Sequence, residues 1–129
     1  MKLKALGMCA VAMLAAAPVW AHHSFAAEYD TKKPVELKGV ISKVEWTNPH
    51  ARFYVDVTDA SGKVTTWNLE LASPNVLIRN GWRRTSLKVG DQVTVTGSQA
   101  KDGAAMANAA SVILADGTKV FARDQADGQ

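Results

Sequence analysis

The chain has 129 residues, 47% of them hydrophobic, with fifteen basic side chains against twelve acidic ones and a single cysteine. That length suits one small domain with a modest core and excludes a multidomain organisation. Without residues 1–21, which carry Lys2 and Lys4, the balance is thirteen to twelve, and a near-neutral chain is a poor candidate for binding nucleic acid, which calls for strong net basicity.

Residues 1–21 have the three parts of a secretory signal. Lys2 and Lys4 form a positive start, Ala5 to Ala17 an apolar run, and Pro18 breaks the helix before small residues at Val19 and Ala21. The run is shorter than the ~20 residues a membrane-spanning helix needs. Cleavage after Ala21 is therefore expected to leave an exported protein with no membrane span. Cys9 leaves with the signal, so the processed chain has neither a disulfide nor a thiolate chemistry. His22 becomes the first residue.

From His22 no hydrophobic period is visible, and residues 22–33 read as an N-terminal arm. Val35 to Trp46 reads as a long strand with Gly39 as a bend or bulge, closed by the turn signal Asn48-Pro49. His50 to Thr58 alternates: Ala51, Phe53, Val55 and Val57 on one face, Arg52, Tyr54, Asp56 and Thr58 on the other. Asp59-Ala60-Ser61-Gly62 is a hairpin turn into a return strand over Val64 to Leu71. Ser73-Pro74 starts a short helix, with Ser as N-cap and Pro at its first position, and Gly81 stops it. Gln92 to Gly97 and Ala107 to Leu114 are two further strands, Lys119 to Phe121 an optional last one, and 124–129 a flexible tail. Three strands, a short helix and two strands, in that order, predict an all-β, OB-like five-stranded barrel over residues 34–123. A small sandwich is the competing architecture.

Four segments together carry a resemblance: His22 to Asp30 (HHSFAAEYD), Glu45 to His50 (EWTNPH), Glu70 to Asn75 (ELASPN) and Arg79 to Trp82 (RNGW). The chain resembles an uncharacterised bacterial family of small exported proteins, a domain of unknown function. The resemblance implies a periplasmic location and an OB-like barrel, and it implies no activity.

The α-amine and Nδ1 of His22 form a chelate that no internal histidine offers, and His23 or His50 adds a second imidazole. Nitrogen-rich tetragonal sites favour Cu(II). Both group types bind only when deprotonated, so affinity is expected to fall below about pH 6.5. Glu28 or Asp30 are candidate oxygen ligands, and Tyr29 or Tyr54 candidate axial ones. Two adjacent histidines at a terminus are also simply a polar end, and the question is whether His50 closes over them.

The alternative is a metal-free module that recognises an anionic small molecule, a glycan or an envelope protein. The second and third strands and adjoining loops of OB-like barrels bind extended ligands, and here they offer Arg52 and Tyr54, with Arg79, Trp82, Arg83 and Arg84 beyond the helix. Trp46 and Trp67 read as core. There is no cysteine nucleophile, no Gly-x-Ser-x-Gly and no standout carboxylate pair, so no enzymatic activity is expected.

Overall fold

The computed structural model describes residues 25–121. A single helical turn, α1 (Phe25–Glu28), leads into the long strand β1 (Tyr29–Glu45). β2 (Arg52–Thr58) and β3 (Val64–Glu70) follow as a hairpin, then the short helix α2 (Pro74–Arg79), β4 (Gln92–Ala100), β5 (Met106–Leu114) and β6 (Lys119–Phe121). The signal segment, His22, His23 and the tail at 124–129 lie outside the described residues. Among the described residues no helix is long and apolar enough to cross a membrane.

Hydrogen bonding runs β3-β2-β1-β4-β5-β6, and an added parallel pairing of β3 with β5 closes five of the strands into a ring. β1 makes this possible because it serves two neighbours in succession. Pro34 to Val40 pair with Ser98 to Gln92 of β4, and Val40 to Glu45 pair with Asp56 to Arg52 of β2. The changeover falls at Gly39-Val40, next to a bulge between Ile41 and Lys43. A Cβ on Gly39 would overlap the Asp56 carbonyl oxygen. Only a residue without a side chain lets the two backbones approach there. Gly97 has the same role between β4 and β5, where a Cβ would overlap the Asn108 carbonyl beside a second bulge.

The alternation in β2 and β3 puts Phe53, Val55 and Leu69 inside the ring with Leu37, Ile41, Val93, Val95, Ala107 and Val112. α2 and the turn after it add Leu77, Trp82 and Leu87 to that core. The Ser73 hydroxyl caps α2 by accepting from the Val76 amide at 3.4 Å, as its Ser-Pro start predicts. Asp59 ties the β2–β3 turn, accepting from the Ser61 and Lys63 amides. Trp46 and Trp67 are partly buried against the core, in line with the structural reading of them.

Element order follows the sequence-based expectation, but the start of β1 does not. The strand begins at Tyr29, within the stretch expected to be an arm, and Tyr29 is fully buried and paired with Ala100. The pairing then skips to Pro34, so Asp30 to Lys33 bulge out on the strand's path. No local period marks this segment, because its pairing partner is some seventy positions away in sequence. Replacing Gly39 by Ala should cost about 3 kcal/mol of stability through overpacking against the β2 backbone. A denaturant titration checks this, and a midpoint unchanged from the parent would show that β1 does not need the close approach.

Candidate functional site

Register places Arg52 of β2 directly opposite Glu70 of β3, on the face turned away from Phe53 and Leu69. The Arg52 Nη2 donates to Glu70 Oε2 at 2.6 Å, and its Nη1 donates to Asn68 Oδ1 at 3.2 Å. Tyr29 closes over the pair from β1, its hydroxyl donating to the same Glu70 oxygen at 2.9 Å. Glu70 is only 7% exposed. A buried carboxylate in that position is tolerable because a guanidinium and a phenol both satisfy it. Among the described residues no buried side-chain nitrogen or oxygen lacks a hydrogen-bond partner.

His50 borders this cluster. Backbone bonds from the Ala51 amide to the Ala72 carbonyl and from the Leu71 amide to the Ala51 carbonyl continue the β2–β3 hairpin past the strand ends. They hold the His50 ring so that Nδ1 lies 3.1 Å from the Leu71 carbonyl and 3.8 Å from Glu70 Oε1. A carbonyl only accepts, so Nδ1 carries the proton and Nε2 keeps the lone pair in the neutral ring. The side chain is 46% exposed. The Asn48-Pro49 peptide just before it is cis.

The N-terminal segment docks at the same corner. The Phe25 ring stacks on Tyr29 with centroids 5.7 Å apart and planes 27° from parallel, and the Glu28 carbonyl accepts from the Lys101 amide. His22 and His23 lie outside the described residues. His23 precedes Phe25 by two positions, a span of at most about 7 Å of chain. Among the described residues no group of three or more His, Cys, Asp or Glu is arranged to hold a metal. His50 and Glu70 therefore need donors from elsewhere to make such a site.

Several expected ligands are otherwise engaged. The Tyr29 hydroxyl is given to Glu70, and burial raises its pKa well above the usual tyrosine range. Glu70's negative charge and hydrogen bond push the same way, and Arg52 opposes them. A phenol held in its protonated form is a poor axial ligand. Asp30 accepts from the Lys32 amide in the exposed bulge. The Tyr54 hydroxyl lies 3.4 Å from Glu45, and Lys43 sits over its ring at 5.3 Å. Arg79, Arg83 and Arg84 are exposed at and beyond the end of α2, away from Arg52 in the chain.

Trp82 is corrected outright: it is 3% exposed and part of the core, so it offers no stacking face to a ligand. The turn after α2 carries it back over the ring, with its amide bonded to the Leu77 carbonyl. Glu70, Asn68 and the structural role of Tyr29 were missed by sequence reasoning. The signal was present: Trp67, Leu69 and Leu71 alternate inward, which puts Asn68 and Glu70 on the other face, Glu70 opposite Arg52 and Asn68 opposite Tyr54.

Trp82→Ala should lose about 3–5 kcal/mol of stability, read by thermal unfolding; a variant as stable as the parent would return Trp82 to the ligand candidates. Because Tyr29 has a raised pKa in the folded state, its contribution is fully present below its unfolded value of about 10 and is lost as pH rises beyond it. Alkaline titration should therefore destabilise the parent above pH 10, and Tyr29→Phe should flatten that loss. Equal alkaline slopes in both proteins would contradict the assignment.

A family model described as a family of unknown function, DUF6152, matches residues 10–109. No curated protein and no solved structure matches the chain. With Tyr29, His50 and Glu70, which meet at one corner of the ring, all inside the matched span, the chain belongs to this family of unknown function.

Proposed function

We propose that this is an exported, periplasmic binding protein built on an OB-like barrel, with a Cu(II) site formed by His22, His23 and His50. The OB-like reading is supported by the five-strand ring, the parallel β3–β5 closure and the helix between β3 and β4. One observation carries the metal reading: His50 donates Nδ1–H to a backbone carbonyl, which leaves Nε2 as the ligating nitrogen. Histidines that bind metals are oriented in this way by a hydrogen bond on the other ring nitrogen.

The docking of Phe25 on Tyr29 supports this reading, since His23 is only two positions from Phe25 in the sequence. The α-amine and imidazole of His22, the imidazole of His23 and Nε2 of His50 then make a nitrogen-rich set suited to Cu(II). Glu70 acts behind His50, fixed by Arg52 and Tyr29, rather than as a first ligand. The second reading, a metal-free module for an anionic small molecule, glycan or envelope protein, draws on the exposed arginines at 79, 83 and 84. It has lost Trp82, and Arg52 is already paired with Glu70.

The test compares protein beginning at His22 with protein carrying one extra N-terminal residue, both titrated with Cu(II). Binding should be tight only for the native terminus. His50→Ala should weaken it at least about a hundredfold, and Glu70→Gln about tenfold through the loss of orientation. If both termini bind equally weakly and His50→Ala changes nothing, the copper reading ends.

A further inference from the structure

We propose that the exposed segment from Ile78 to Val89 is a peripheral docking surface for an anionic lipid bilayer. Its twelve residues contain four cations, Arg79, Arg83, Arg84 and Lys88, and no acidic side chain. From His22 onward the rest of the chain holds the other nine basic residues against twelve acidic ones. Positive charge is thus gathered on one segment of a chain that is otherwise net negative, and such asymmetry orients a protein toward an anionic surface.

The segment is held firmly, which distinguishes it from a loose basic loop. Leu77, Trp82 and Leu87 are buried in the core and pin it at three points. Between the last two, the Arg83 amide donates to the Ser86 hydroxyl at 2.8 Å and the Ser86 amide donates to the Arg83 carbonyl. The anchors point inward, so the intervening cations are left exposed. No ion pair joins any of the four to a carboxylate among the described residues.

Two apolar side chains bound the cationic stretch, Ile78 at 57% exposure and Val89 at 66%. Isolated exposed valines and isoleucines are ordinary. At the ends of a stretch whose charged side chains are all cations, with the first carboxylate beyond it, Asp91, accepting from the Lys88 amide at 2.9 Å, they match a bilayer interface, which receives apolar side chains between charged headgroups. A small hydrated anion would use the charges and ignore both of these residues. Two aliphatic side chains are too few for deep insertion, so the association is reversible and sensitive to salt.

The experiment is flotation of the protein, recovered from an export host as that host processes it, with two kinds of vesicle. One is phosphatidylcholine alone, and the other contains about a third phosphatidylglycerol, enough to give a strongly negative surface. Binding is expected only to the anionic vesicles, and it should disappear at high salt. The combined variant Arg79→Gln, Arg83→Gln, Arg84→Gln should weaken it about a hundredfold, from roughly a fivefold loss per charge.

The matching Arg→Lys variant should retain binding, since a surface potential reads charge rather than guanidinium geometry. Ile78→Ser with Val89→Ser should weaken binding while leaving its salt dependence in place. Equal binding to neutral vesicles, or undiminished binding by the Gln variant, would overturn the proposal. So would displacement by inorganic phosphate beyond that by chloride at equal ionic strength, or loss of binding in the Lys variant. Either of these last results would indicate a discrete anion site instead.

Discussion

One strand that must serve two neighbours underlies everything else in this fold. β1 gives its first half to β4 and its second half to β2, and the ring closes only because the chain can roll from one partner to the other at Gly39-Val40. Seventeen residues is long for a strand, and a flat one of that length would leave an open sheet with exposed edges. Close backbone approach at Gly39, a bulge beside it and a matching close approach at Gly97 convert length into curvature. The parallel contact between β3 and β5 then brings Asn68 to Met106 and Glu70 to Asn108, and the apolar faces of all five strands share one interior.

The same closure creates the polar corner. Tyr29 stands at the very start of β1 and reaches Glu70 only because the strand's first half is bound to β4, beside the β3–β5 junction. Two opposing terms set the character of this cluster. Removing a carboxylate from water is costly, and a lone guanidinium contact seldom offsets it fully. Here a second donor, the phenol, and a guanidinium that also engages Asn68 leave no group unpaired. Such a network adds less to stability than an apolar core of equal volume, but it holds its members in one arrangement. For His50 that is the relevant property. A ring held against the Leu71 carbonyl, with a carboxylate behind it, has a defined tautomer and a defined orientation.

Surface charge follows a different logic. The stretch after α2 alternates between anchors that the core requires and cations that nothing in the fold requires. Arg79 gains a little from the C-terminal end of a short helix, an effect of a few tenths to about one kcal/mol. Arg83, Arg84 and Lys88 have no such explanation, and concentrating them works slightly against stability through mutual repulsion.

The strands and the helix were legible from the chain alone because they depend on nearest neighbours. Alternation in Phe53-Tyr54-Val55 reflects a strand with one face buried, Ser73-Pro74 satisfies the first amides of a helix, and Asp59 to Gly62 is a local turn. These are short-range demands of backbone hydrogen bonding and side-chain burial, and they appear wherever those residues occur in that order. Tertiary structure decided what distance along the chain concealed. It turned Tyr29 from part of an arm into a buried strand residue, and Trp82 from a ligand candidate into core. It also joined Tyr29, His50, Arg52 and Glu70 at one corner. Pairing partners forty to seventy positions apart leave no periodic trace, since each contact is fixed by the closing of the ring and not by the residues on either side of it.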